Sequence, residues 1–223
     1  METTQITEIS VLGKKWKTAT SGEKKEISKK ISAYLLKADA QQLTTLLPSI
    51  KSLSWLTDEC LDYVLGKIYD TDKIKKLFPL SKKKTGQRQK LAERYGALIE
   101  AKFQSAPFKE KVAIFKEANN QEGFTEIDQE NKKFCQRHWQ DFIHTINNYE
   151  KGLLIYDAFI GNHLTCPEIW ATVAAIKTIK VWTKQNNLKK IDSGQAALLQ
   201  KLNLSLQPGK ILVAQEILKK MGQ

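Results

Sequence analysis

The sequence predicts an all-α protein, a multi-helix bundle or a short stack of helical hairpins, with about nine to eleven helices and no substantial sheet. Three observations predict it. Apolar residues recur three and four positions apart along most of the chain, the spacing that gathers them on one face of a helix. Capping residues precede these runs, and proline or glycine closes several of them. No segment of convincing length alternates apolar and polar residues, as a half-buried strand would.

Taken in order, Thr20-Ser21-Gly22-Glu23 has the form of a capping box, whose hydroxyl and carboxylate satisfy free amides of a first turn. Behind it Ile27, Ile31, Tyr34 and Leu35 make one face, and Lys24, Lys25, Lys29 and Lys30 the other. A second helix follows Asp39, with Leu43, Leu46 and Leu47 inward and Pro48 breaking or kinking it. Thr57 caps a third, with the stripe Leu61, Val64, Leu65 and Ile68. A polar run at 81–86 leads into a helix near 87–104 that carries Leu91, Leu98, Ile99 and Phe103. Ser105-Ala106-Pro107 suits a helix start, with Val112, Ile114 and Phe115 facing inward beyond it.

Thr125-x-x-Asp128 then opens a long helix running to about Lys151, striped by Phe134, His138, Phe142, Ile146 and Tyr149. Thr165-Cys166-Pro167-Glu168 joins a capping box to an early proline and starts a helix through Trp170, Val173, Ile176 and Trp182. Residues 197–223 supply two more helices around the turn Leu202-Asn203-Leu204-Ser205. Asn119-Asn120-Gln121-Glu122-Gly123 is the most linker-like stretch. It divides an N-terminal helical region, 1–118, with a basic loop at 81–86, from a C-terminal region, 124–223, unless the two form one continuous domain.

A repeat is visible in the first half. Asp39 to Pro48 and Asp70 to Pro79 share the form Asp-x3-apolar-x2-apolar-apolar-Pro, offset by 31 residues. A capped, proline-stopped helix recurring at that period is what stacked helical hairpins give, although two ordinary capped helices also satisfy it.

The net charge of +12 points towards anionic partners, but it is almost all lysine, 33 against 3 arginines. Lysine is a hydrated point charge and lacks arginine's bidentate fork. The charge is segregated: residues 71–94 carry +7 and residues 172–223 another +7, while residues 119–171 carry −4. Lys73, Lys75, Lys76, Lys82, Lys83, Lys84, Arg88, Lys90 and Arg94 make up the first island, and Lys210 is the exposed cation expected in the last helix. Such islands can displace counterions from a phosphate backbone, with Phe78 and Tyr95 available to stack on bases, or they can simply keep a surface solvated.

The closing pair of helices has the outline of a helix-turn-helix, with Asn203 able to take a left-handed conformation and Ser205 placed to cap. Its second helix is too apolar for a major groove, since only Gln207, Lys210 and Gln215 are placed to touch bases. A terminal hairpin of the bundle is the simpler reading. Cys135-x2-His138 and His163-x2-Cys166 form a mirrored pair, but their spacing matches no zinc signature, and the first pair lies on or beside an apolar stripe. No metal or other cofactor is expected. Phosphate-loop, dinucleotide, zinc-protease and nucleophile-elbow motifs are all absent, and Cys135 beside His138 lacks a third orienting group.

The start, METTQITEIS, is no secretory signal. The longest apolar run, Trp170 to Ile176, is far short of the roughly 20 residues of a membrane helix. Three scattered cysteines, Cys60, Cys135 and Cys166, fit a reducing compartment, cytoplasmic or nucleoid/nuclear. The expectation is therefore a non-enzymatic, all-helical binding protein that docks on DNA or RNA through lysines. The alternative is a protein–protein adaptor of stacked hairpins.

Overall fold

The computed structural model describes residues 2–81, 86–120, 122–160, 168–185 and 208–222. Every regular element among them is a helix. Among the described residues there are eleven α-helices: α1 (Glu2–Trp16), α2 (Ser21–Leu35), α3 (Ala40–Leu46), α4 (Asp58–Lys67), α5 (Thr71–Leu77), α6 (Gly86–Ser105), α7 (Phe108–Ala118), α8 (Thr125–Thr145), α9 (Tyr149–Phe159), α10 (Glu168–Gln185) and α11 (Pro208–Lys220). Three 3-10 turns join them, at Leu47–Ser49, Leu53–Trp55 and Phe78–Leu80. The chain divides into two compact units, Met1–Ala101 and Lys102–Gln223, the boundary falling within α6.

In the first unit the caps read from the sequence are made. Thr20 and Glu23 complete the capping box of α2, and the Thr57 hydroxyl accepts the Cys60 amide at the start of α4. Asp39 accepts the amides of Gln41 and Gln42 at 2.9 and 2.8 Å, and Asp70 accepts that of Asp72 at 2.9 Å. Each of these aspartates opens a seven-residue helix, α3 or α5, that runs directly into a proline-bearing 3-10 turn. Proline removes the amide that would continue the α-helix, so the chain tightens and turns at the same point in both copies. The 31-residue repeat is thus one repeated corner.

The long helices repeat as well. Ile27, Ser28, Ile31, Ser32 and Leu35 are buried along α2; Cys60, Leu61, Val64, Leu65 and Ile68 along and just past α4; Leu91, Ala92, Tyr95, Gly96 and Ile99 along α6. The pattern recurs at offsets of 33 and 31 residues. Packing follows the same rule: α1 lies on α2 and α3, and α2 on α4. Polar side chains stitch successive long helices. The Ser32 hydroxyl accepts the Thr57 amide at 3.0 Å, and Tyr63 donates to the Ala38 carbonyl at 2.8 Å. The all-α, multi-helix fold expected from the sequence is the one observed.

α1 was not foreseen in the sequence. Ile6, Ile9 and Gly13 make its inward side, with Ile9 fully buried and Gly13 so close to Trp55 that an added Cβ would lie 2.6 Å from Cζ3. Tyr34 of α2 hydrogen-bonds Glu8 of α1, which holds the phenol proton more tightly than usual.

The second unit is built around aromatic rings and one enveloped helix. Phe103, Phe115, Phe134, Phe142 and Phe159 meet at centroid distances of 5.0 to 6.3 Å, mostly edge-on. Trp139 and Trp170 stack at 5.0 Å with planes 6° apart. Trp170 to Ile176 are all buried, so this first part of α10 is enclosed on every side, as expected of a helix segment surrounded by others. It packs on α8, α9 and α11. α9 crosses it at Gly152, where a Cβ would lie 2.7 Å from the Cβ of Thr178.

One local expectation is corrected. The helix expected to run to Lys151 ends at Thr145: Ile146 is extended (φ −68°, ψ 99°), and the Asn148 side chain accepts the Lys151 amide at 2.9 Å to begin α9. The next helix opens at Thr125, as expected; Phe124 stands at the N-cap position of α8, and the Asp128 carboxylate reaches back to the Glu122 amide at 2.8 Å. The linker-like stretch begins on a wholly buried Asn119, which donates to the Ala158 carbonyl at 3.1 Å, and then turns through Gly123 at φ 81°, a backbone that favours glycine.

Candidate functional site

The basic island of the first unit separates into residues turned inward and residues left on the surface. Arg94 donates from Nε and Nη2 to the Ile68 carbonyl, at 3.2 and 2.8 Å, and its guanidinium lies 5.4 Å from the Tyr69 ring. It thereby satisfies a carbonyl left open where α4 ends. Arg88 sits 5.4 Å from the ring of Phe78. Lys90 pairs with Asp62 at 2.8 Å, and that hydrogen bond raises the pKa of its ammonium. Lys75 lies 4.0 Å from Asp72 and 5.6 Å from the Tyr95 ring. Phe78 and Tyr95, the rings considered for stacking on bases, are buried.

Lys73 and Lys76 remain exposed. Lys82, Lys83 and Lys84 lie outside the described residues. Lys210 stands in the other unit on α11, its side chain outside the described set.

Lys73 and Lys76 border a groove of about 390 Å³ formed where the two repeated corners adjoin. Leu47, Pro48, Ile50, Leu77 and Leu80 line it with apolar surface. Lys51 is the third cation on its rim. Lys51 Nζ donates to the Pro48 carbonyl at 2.8 Å and Lys73 Nζ to the Thr44 hydroxyl at 3.5 Å, so none of the three meets a carboxylate among the described residues. Sequence reasoning missed Lys51 because it is a lone lysine outside any charge run. The available signal was the repeat, which brings the two proline turns side by side.

A second hollow, of about 370 Å³, is more polar. Lys24, Lys25 and Lys29 of α2 line it together with Trp16 and the hydroxyl residues Ser21, Ser28, Ser54 and Thr57.

In the second unit, Cys135 is wholly buried, and His138 packs on Phe103 and Phe134 at 4.4 and 4.9 Å, with Nδ1 3.4 Å from Asp141 Oδ2. This is the environment of a core histidine anchored at its edge. His163 and Cys166 lie outside the described residues, and among those described no three potential ligands gather to hold a metal. The first helix and turn of the helix-turn-helix outline also fall outside the described residues. Of its second helix, Ala214 and Leu218 are buried while Leu212 and Val213 are exposed. On α10, Lys177 is partly buried, and desolvation followed by the charges of Lys180 and Lys184 lowers its pKa.

No described helix is long and apolar enough to cross a membrane. Comparison with known protein families, curated proteins and solved structures finds no match to this chain.

Proposed function

We propose that this chain is a non-enzymatic binding scaffold, a protein–protein adaptor made of stacked helical hairpins. One observation carries the reading: the same Asp-capped corner and the same pattern of buried residues recur in successive hairpins of the first unit. Stacked repeats bury a continuous core and leave a row of equivalent corners on the surface, the usual recognition surface of such proteins. The internal contacts of Arg88, Lys90 and Arg94 favour it further, because these cations brace the hairpins themselves. The test is affinity purification of the tagged full chain from its own cells, with nuclease and a high-salt wash. A protein retained in stoichiometric amount is expected. Recovery of nucleic acid alone, lost on those treatments, would overturn the adaptor reading.

Docking on DNA or RNA is the second reading, favoured by the three lysines and four hydroxyl residues around the polar hollow. Ammonium and hydroxyl groups suit phosphate oxygens, giving affinity with little sequence preference. Mobility shifts across a salt series test it. Binding that weakens steeply with salt and falls when Lys24, Lys25 and Lys29 become glutamine is expected, and no shift at low salt counts decisively against it.

A further inference from the structure

We propose that the groove between the two repeated corners holds an acidic, amphipathic segment of a partner protein, its aliphatic side chains on the floor and its carboxylates on Lys51, Lys73 and Lys76. This rests on the adaptor reading and names the partner's chemistry. The floor is mainly aliphatic, from Leu47, Pro48, Ile50, Leu77 and Leu80, with the Thr44 hydroxyl at its edge. Among the described residues it offers no aromatic face for a base and no arginine to fork onto phosphate or guanine. The groove therefore suits aliphatic side chains better than nucleotides. A volume of about 390 Å³ is more than twice that of an apolar cavity of roughly 150 Å³ that accepts a benzene ring. It has space for a pair of leucine-sized side chains.

The cations set the partner's charge. Lys73 and Lys76 sit one turn apart on α5, while Lys51 comes from the chain beyond the first proline turn. No acidic residue is among the described residues that line the groove. A fatty acid brings one carboxylate to three separated ammonium groups. An amphipathic helix with leucines four residues apart, flanked by glutamates, brings several at once, laying its apolar face in the groove and its acids along the edge.

The experiment uses the full chain and three fluorescein-labelled helical peptides, read by anisotropy. The first carries leucines four residues apart with flanking glutamates, the second has those leucines changed to alanine, and the third has the glutamates changed to lysine. The first is expected to bind saturably and the other two far more weakly. Lys51→Glu, Lys73→Glu and Lys76→Glu together should weaken the first peptide by about tenfold or more, the sum expected of three rim ion pairs. The same triple variant should gain affinity for the lysine peptide, and this exchange of preference shows that the variant is folded. The proposal is overturned by absence of saturable binding, by equal binding of the alanine peptide, by an unchanged triple variant, or by an oligonucleotide or fatty acid displacing the peptide at lower concentration. Should it fail while the native chain still retains a salt- and nuclease-resistant protein partner, the adaptor reading stands and a different face makes the contact.

Discussion

Replacing Gly152 by alanine sets two effects of opposite sign against each other. Alanine is the better helix former by roughly 1 kcal/mol, so α9 considered alone is stabilised. At this crossing, however, the new Cβ would lie 2.7 Å from the Cβ of Thr178. That carbon cannot rotate aside, and the Thr178 hydroxyl is already committed to the Ala174 carbonyl at 2.7 Å. α9 and α10 must separate, and overpacking of this kind costs about 1–3 kcal/mol. With a backbone-fixed atom in the way the upper end applies, leaving a net loss of about 2 kcal/mol. For a chain of this size that lowers Tm by about 4–8 °C. Thermal and urea unfolding followed by circular dichroism measure it. Adding Thr178→Gly vacates the space, so the double variant should exceed the sum of the singles by about 3 kcal/mol, the overpacking cost relieved. A Gly152→Ala protein that melts at or above the parent temperature refutes the close crossing.

Three more expectations follow from the packing. Asn131 is buried with neither its Oδ1 nor its Nδ2 partnered among the described residues, so Asn131→Leu should stabilise the second unit by about 1 kcal/mol, read as an increased urea midpoint; a loss of stability there contradicts the assignment. Arg94→Lys replaces a fork on the Ile68 carbonyl with a single ammonium and should cost about 1–2 kcal/mol in urea unfolding. An unchanged midpoint means that the fork contributes nothing. Cys60 is buried and its Sγ–H faces the Ser32 carbonyl at 3.8 Å; burial raises its thiol pKa. Above the ordinary thiol range the unfolded cysteine ionises while the folded one stays protonated, so this residue's contribution to stability falls as pH rises. Cys60→Ser should flatten that alkaline loss, and mass spectrometry should find Cys60 alkylated only after denaturant is added.

The helical class was legible because periodicity and caps report on local backbone, and local backbone is most of what an all-helical fold requires. Asp39 and Asp70 announced the corners through residue types whose side chains bond the first amides. The break after Thr145 was hidden because Phe142, Ile146 and Tyr149 keep helical spacing straight through it, and only Asn147-Asn148 signalled a new cap. α1 was missed because its inward positions include a glycine and no capping box precedes them. The surface was harder. The carbonyl taken by Arg94 lies 26 residues upstream and comes within reach only once α4 and α6 are stacked. Counting charges finds runs of lysine; it does not find Lys51, which joins Lys73 and Lys76 only through the fold.

The sheathing of α10 bears on how the polypeptide is made. During synthesis the first hairpins emerge with their neighbours close behind them, and each can close as it leaves the ribosome. Helices α8 and α9 can pack on α7 and on each other, but their far wall is missing until the segment containing Trp170 to Ile176 has followed them out. A nascent chain paused before residue 168 therefore presents the ring of Trp139 and the bare backbone of Gly152 to whatever chaperone or protease arrives first.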